Sequence, residues 1–361
     1  MGALKKILLF PFAIIYGLIT SLRNLLYDWK VLKSKSFEVH TICVGNLAVG
    51  GTGKTPHVEY LIHLLGNDFK IAVLSRGYKR KTSGFVHANE TSTALDIGDE
   101  PLQYKTKNPQ LDVCVDANRV NGVKKILEFS EPPKVIILDD AFQHRALNSE
   151  LKILISEYNN LFIDDCMMPA GSLRESKKGI KRADIIIISK TPERATAVEL
   201  RNLMKDLKPL AHQQLFFTWL KYGELAGFQN PNETIDTLND LFRYRIVLFT
   251  GIGNPTPLVT YLKEYSSDVI HLPYSDHHQF TINDINDIRK ELDAIEGGNK
   301  IVITTEKDAM RLRSGDLQDL ANTLPLYVLP VEVDFKEKTQ EFNETIINYV
   351  RTNKFYHKKY S

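Results

Sequence analysis

The sequence predicts an α/β fold made of two successive α/β series, the first organised around a phosphate-binding loop, behind an amino-terminal amphipathic helix. Three observations predict it. The run Gly50-Gly51-Thr52-Gly53-Lys54-Thr55 joins a short apolar run to a helical pattern; Val- and Ile-rich runs recur with helical stretches between them; and Ile7 to Leu22 carries no charge, between Lys6 and Arg23.

The amino-terminal stretch comes first. Leu18, Leu22, Leu25, Leu26 and Trp29 recur at helical spacing, with Gly17, Ser21, Asn24 and Asp28 on the opposite side. The uncharged run of 16 residues is shorter than the roughly 18 to 20 needed to cross a bilayer core, and no small-residue cleavage site follows it. Between Met1 and Ser36, Lys5, Lys6, Arg23, Lys30, Lys33 and Lys35 face one acid, Asp28. That balance suits an anionic membrane surface. Packing against the protein core and a true span stand as the alternatives.

The runs His40 to Val44, Ile71 to Leu74, Lys134 to Leu138, Leu151 to Ile155 and Asp184 to Ile188 lack polar alternation, as strands buried on both faces of a parallel sheet do. Leu215 to Lys221 reads as a further strand, and Gly223 to Asp240 is rich in turn and polar residues. A second series begins with Ile246 to Thr250, Val269 to Leu272, Lys300 to Thr304 and Pro325 to Val331, with helices over Pro257 to Tyr265 and Ile282 to Ile295. The divisions expected are a helix over 1–36, a nucleotide-binding unit over 37–214, a second α/β unit over 215–335, and a carboxy-terminal helix with a basic tail over 336–361. A length of 361 residues fits two units at about 150 residues each.

Composition excludes more than it identifies. With 43% hydrophobic and 25% charged residues the chain has ample apolar mass for packed cores. Its 46 basic and 44 acidic side chains leave no bulk charge to attract nucleic acid, and no segment demands an obligatory protein partner. Cys43, Cys114 and Cys166 are scattered, without the spacing of a zinc site or a redox pair.

The glycine-rich loop carries the chemistry. In Asn46-Leu47-Ala48-Val49-Gly50-Gly51-Thr52-Gly53-Lys54-Thr55 the glycines let main-chain N–H groups turn inward at a helix start, where a polyphosphate binds. Ala48 stands where the G-x-x-x-x-G-K-[ST] pattern has its first glycine. Lys54 would reach the β- and γ-phosphates of ATP, and Thr55 would ligate Mg²⁺. Ala48 to Thr55 therefore form the expected nucleotide cradle of a P-loop NTPase fold. Asp139 and Asp140, ending the run Val135 to Leu138, are expected to complete the Mg²⁺ shell, the other reading being a turn or helix cap.

Two segments supply acid–base groups. Asp99, in Gly98-Asp99-Glu100-Pro101, either accepts the proton of an attacking hydroxyl or caps the following helix. His277, in Ser275-Asp276-His277-His278-Gln279-Phe280, either shares that proton or lies in a surface loop. Thr305-Glu306-Lys307-Asp308 ends a strand, but its spacing is wrong for the guanine-reading motif, and Lys307 and Asp308 read as a salt bridge or as support between units.

These segments, taken in order with Ser75-Arg76-Gly77-Tyr78, Asp139-Asp140-Ala141-Phe142-Gln143-His144-Arg145, Pro169-Ala170-Gly171-Ser172-Leu173-Arg174-Glu175 and Gly251-Ile252-Gly253-Asn254-Pro255, resemble the tetraacyldisaccharide 4′-kinases of lipid A biosynthesis. The resemblance runs from residue 1 to about 335, with Ala141 and Ser172 in place of the family's usual glycine and proline. It implies two α/β/α subdomains closing over ATP, an amphipathic helix on the cytoplasmic face of the inner membrane of a Gram-negative bacterium, and a lipid-linked glucosamine disaccharide as acceptor. It also implies that Asp99 is the general base paired with His277, and that Asn46, Tyr78, Arg174 and Glu175 lie near the disaccharide head group. A membrane-tethered P-loop ATPase or GTPase, acting as a switch or metallochaperone, is the competing reading.

Overall fold

The computed structural model describes residues 3–235 and 238–352. The basic tail expected at the carboxy terminus lies almost wholly outside them. Helix α1 (Ala3–Asp28) precedes β1 (His40–Gly45), α2 (Lys54–Gly66), β2 (Ile71–Ser75), β3 (Val86–His87), α3 (Ala94–Ile97), α4 (Asp99–Lys107), β4 (Asp112–Val115) and α5 (Arg119–Leu127). Then come β5 (Val135–Asp139), β6 (Leu151–Glu157), β7 (Ile185–Ser189), α6 (Ala197–Leu207) and β8 (Gln214–Tyr222). The remaining elements are β9 (Leu225–Gly227), β10 (Thr234–Ile235), β11 (Tyr244–Thr250), α7 (Thr256–Tyr265), β12 (Val269–Pro273), α8 (Ile282–Ala294) and β13 (Asn299–Thr305). Last are α9 (Glu306–Leu312), α10 (Gly315–Ala321), β14 (Leu326–Leu329), β15 (Val331–Phe335) and α11 (Thr339–Arg351).

The larger sheet has the order β15-β8-β7-β6-β1-β5-β2-β4-β3. Its seven central strands are parallel, and β15 and β3 run antiparallel at the edges. The unalternating Val and Ile of β1, β5 and β7 are buried because helices cover both faces. Val58 and Leu61 of α2 pack on one face with Phe342 and Ile346 of α11, while Val123 of α5 and Leu200 of α6 pack on the other. In the β1–β5 ladder Val44 is the partner of Asp139, so the phosphate loop and the acidic strand end emerge side by side.

The smaller sheet has the order β10-β9-β14-β13-β11-β12. A division at residue 215 therefore cuts through the larger sheet: β8 pairs with β7, and the chain enters the second unit only after Tyr222. The run Pro325 to Val331, read as one strand, is two. Pro330, which has no N–H for a ladder, ends β14 in the smaller sheet, and β15 pairs back onto β8. The two crossings lie together, with Gly223 N donating to Pro330 O at 3.0 Å. Helix α11 belongs with the first unit, where the Tyr349 hydroxyl donates to Thr41 O at 3.1 Å.

Helix α1 is amphipathic in the reverse sense to a core helix. Its small and polar side faces the protein: Gly17 lies against Met167, Asn24 Nδ2 donates to Glu175 Oε2 at 2.9 Å, and Asp28 pairs with Arg145 at 2.6 Å. Its apolar side faces outward, with Leu18 65% and Leu22 57% exposed. Packing into the core is thereby excluded. Lys6–Asp28 is long and apolar enough to cross a membrane by length and composition, since the helix continues past the uncharged run.

Candidate active site

The phosphate loop hangs between β1 and α2 and is braced from outside. Val49 N donates to Ser172 O at 2.8 Å and Arg174 N to Leu47 O at 2.7 Å, while Ala48 bridges Leu173. The buried Ala48 needs no glycine there. Ser172 N donates to Asp165 Oδ2 at 2.9 Å, a bond that a proline at this position could not make. From inside, Asn46 Nδ2 donates to Thr52 Oγ1 at 3.0 Å and Ser189 Oγ to Thr52 O at 2.7 Å.

Gly50 at φ 115° and Gly53 at φ 84° hold the left-handed turns that aim the loop's amides. A Cβ at Gly50 or Gly51 would meet nothing within 4 Å, so the loop opens onto free space. Gly53 caps α2 without a side chain, and the first-turn N–H groups of this 13-residue helix are left to an anion.

Around that mouth stand the acids Asp139, Asp140 and Glu100 and the cations Lys54 and Arg174. Lys54 Nζ lies 3.6 Å from Asp140 Oδ1, and Arg174 Nη1 lies 2.8 and 2.9 Å from the two Asp140 oxygens. Burial acts to raise the Asp140 carboxyl, but Lys54 and Arg174 outweigh it and hold it below the usual range. Asp139, 1% exposed, accepts from Ser75 Oγ at 3.0 Å through Oδ2, and its Oδ1 has no hydrogen-bond partner. Burial, then Glu100 and Asp140, push its carboxyl well up. Thr55 Oγ1 donates to Glu100 Oε1 at 3.1 Å.

Asp99 opens α4 behind Gly98, whose φ of 95° lets the chain pass close to Gly77 and Tyr78. Asp99 is not the helix cap; Gly98 is, and the carboxylate looks across to the second unit. There His277 Nδ1 lies 3.0 Å from Asp99 Oδ2, and Arg311 reaches the same oxygen through Nη2 at 2.5 Å and Nε at 3.2 Å. A carboxylate only accepts, so the His277 Nδ1–H donates. Burial would raise Asp99, but the His277 hydrogen bond and the charges of Arg311 and Lys307 prevail and keep it ionised, well below the ordinary range.

His277 itself sits at φ 56°, a left-handed conformation rare for a residue with a Cβ, held by its N–H to Gly251 O at 3.0 Å. Tyr78 meets the ring edge-on at 5.3 Å between centroids, and Lys79 Nζ donates to His277 O at 3.3 Å. His278 points elsewhere, with Nε2 3.0 Å from Asp284 Oδ2.

Arg311 was not legible in the sequence; its only local signal is its place one helical turn after Lys307 and Asp308. It is 6% exposed and held by Asp308 Oδ1 at 2.6 Å and Gly251 O at 3.1 Å. Asp308 Oδ2 in turn accepts from Gly251 N at 3.0 Å. The Thr305 to Asp308 segment therefore meets α4: Lys307 Nζ lies 2.5 Å from Glu100 Oε1, and Glu306 Oε1 2.6 Å from Lys107 Nζ.

Of the four residues expected near a head group, Tyr78 is exposed beside His277 and Arg174 lies at the mouth of the loop. Asn46 and Glu175 are buried. Asn46 is 0% exposed beneath the loop, and Glu175 is 2% exposed and takes donors from Asn24, Gln143 and Arg182, each at 2.9 Å. Gln143 lies inside the Asp139 to Arg145 block but was given no role there, and Arg182 lies in no motif that would have marked it.

The described residues hold a phosphate cradle faced by an acid–imidazole pair, which is the constellation of a phosphoryl transferase acting on an alcohol. Comparisons with known proteins agree. The family model for tetraacyldisaccharide-1-P 4′-kinase (LpxK) matches residues 5–351. A tetraacyldisaccharide 4′-kinase of Bacteroides thetaiotaomicron is 44% identical over 354 residues, covering 96% of this chain and 93% of the relative. That of Flavobacterium johnsoniae is 44% identical, covering 98% and 99%. Among solved structures, LpxK from Aquifex aeolicus in complex with ATP matches with a TM-score of 0.73 at 29% identity, covering 96% of this chain and 99% of that one. This chain belongs to the tetraacyldisaccharide-1-P 4′-kinase family.

Proposed function

We propose that this protein transfers the γ-phosphate of ATP to the 4′-hydroxyl of tetraacyldisaccharide 1-phosphate, a step of lipid A biosynthesis, on the cytoplasmic face of the inner membrane of a Gram-negative bacterium. Family membership supports the reaction, and one observation carries the reading of the site: Asp99 meets His277 of the second unit while its neighbour Glu100 bonds Thr55 at the end of the phosphate loop. The competing reading, a tethered switch or metallochaperone, has no such support.

In this reading residues 48–55 cradle the triphosphate and Lys54 holds its β,γ end. The oxygen donors suit Mg²⁺: Thr55 Oγ1 and Asp139, whose buried Oδ1 lacks a partner. Asp140, engaged by Arg174 and Lys54, shapes the charge beside them. Bound there, Mg²⁺ would neutralise phosphate charge. The 4′-hydroxyl would enter past Tyr78 and give its proton to the Asp99–His277 pair. Arg174, bonded to Asp140 through Nη1, would contact the head group through its other nitrogens, while Asn46 and Glu175 act from beneath, Asn46 on the loop and Glu175 on α1. The outward apolar face of α1 would lie in the membrane interface that holds the acyl chains.

The test is phosphate transfer from γ-labelled ATP, with Mg²⁺, to tetraacyldisaccharide 1-phosphate in mixed micelles. Labelled product is expected. Absence of product with intact, folded protein would overturn the reading.

A further inference from the structure

Two cations reach from α9 to the two acids that open α4, and they are held differently. Arg311 is pinned by Asp99, Asp308 and the Gly251 carbonyl. Lys307, one turn earlier, has a single hydrogen-bonded partner among the described residues, Glu100 Oε1 at 2.5 Å. That same oxygen takes the Thr55 hydroxyl at 3.1 Å. An ammonium from the second unit thus stands one carboxylate oxygen away from the hydroxyl that follows the P-loop lysine, the group that faces the β,γ end of a bound nucleotide in this loop architecture.

The charge is present when needed. Burial acts to lower the Lys307 ammonium, but Glu100 and Asp99 overcome it and hold it protonated. A lysine on a flexible four-carbon stem can change partners where a pinned guanidinium cannot. Glu100 also has a competing demand, because a Thr55 hydroxyl that turns to a metal leaves that carboxylate. The first unit's own lysine, Lys54, is shared with Asp140, so Lys307 is a separate source of positive charge.

We propose that Lys307 is a catalytic residue, with Glu100 as its resting partner, and that in the loaded enzyme its ammonium moves onto a γ-phosphoryl oxygen. This deepens the functional reading above and rests on it. As the 4′-oxygen bonds to the γ-phosphorus, the bond from that phosphorus to the β–γ bridging oxygen breaks. Its electron pair leaves with ADP, and the hydroxyl proton goes to the Asp99–His277 pair. Lys307 gains and loses no proton; it carries the charge that spreads over the transferring group. Nucleotide held by the first unit alone then lacks this cation, which ties transfer to the approach of the second unit.

The experiment compares wild type with Lys307→Met and Lys307→Arg as full-length proteins in the micelle assay. Lys307→Met is expected to lower kcat about 10³-fold, with KM for ATP and acceptor within about threefold, and Lys307→Arg is expected to recover at least about tenfold of that loss. A second readout separates chemistry from packing: affinity for ADP with aluminium fluoride, a mimic of the transferring phosphoryl group, should fall in parallel with kcat while affinity for ADP alone holds. Should the methionine variant fail to fold, Lys307→Gln, which can still bond Glu100 without a charge, replaces it with the same expectations. A kcat within about fivefold of wild type, or equal losses of ADP and ADP–aluminium fluoride binding, would overturn the proposal. A wild type that transfers nothing would instead sink the functional reading.

Discussion

Arg311 and Asp99 lie 212 residues apart in sequence, yet Arg311 Nη2 is 2.5 Å from Asp99 Oδ2 and joins the second unit to the first. The guanidinium also neutralises the buried Asp308. Breaking such a pair by removing one member leaves uncompensated buried charge, at a cost of about 3–5 kcal/mol. Arg311→Met should lower the urea midpoint accordingly and Arg311→Lys by less; an unchanged midpoint would show the pair to be solvated.

Asp99→Asn keeps the shape of the acid but not its charge, and the hydrogen bonds of Asp99 run to Glu100 N, His277 and Arg311. A fall in kcat of about 10²–10⁴-fold is expected, with the dissociation constant for ATP unchanged in a titration. A comparable loss of ATP binding would place Asp99 in the nucleotide cradle instead.

Glu175 ties α1 to the loop bracing through Asn24, Gln143 and Arg182. Glu175→Ala removes the one buried acceptor that the half-buried Arg182, Gln143 and Asn24 share, so a loss of about 1–3 kcal/mol and faster proteolysis of α1 are expected. If the side chain instead met the head group, stability would hold and only KM for the lipid would rise.

Leu18 and Leu22 point away from the protein, at 65% and 57% exposure. Leu18→Asp with Leu22→Asp should leave thermal unfolding unchanged, since neither packs inside, while cutting co-sedimentation with anionic vesicles about tenfold or more. Retained binding would move the membrane contact elsewhere.

His57 gives the fold a pH dependence with a definite sign. Its Nδ1 lies 2.7 Å from Gly53 O, so Nδ1 carries the proton and Nε2, 3.0 Å from Thr218 Oγ1, accepts. Burial lowers its pKa to about 4. Between about 6.5, the unfolded value, and 4, the unfolded chain binds a proton that the folded chain refuses. Stability therefore falls as pH drops through that window, by about 3 kcal/mol in all. His144, lowered to about 4 by burial and by Arg119 and Arg76, adds to the same slope. Unfolding midpoints across pH 4–7 should flatten in part for His57→Gln and further in the double variant with His144→Gln; an unaltered slope would assign it to other groups.

The sequence by itself determined what neighbouring residues decide together. The Gly50 to Thr55 loop, the apolar runs that become β1, β5 and β7, and the helical spacing of Leu18, Leu22 and Trp29 are legible because backbone geometry and periodicity are local properties. Asp139 was legible for the same reason, as an acid ending a buried strand.

The tertiary structure decided which faces and charges meet. It turned the polar side of α1 inward, where Asn24 finds Glu175, and sent β8 and β15 to the larger sheet on either side of the paired crossings at Gly223 and Pro330. It buried Asn46 and Glu175, and it brought Arg311 and Lys307 to Asp99 and Glu100. Charges across such distances in the chain acquire partners only when two cores have packed and their edges have docked, because long-range pairing depends on burial and register that no short stretch of residues encodes.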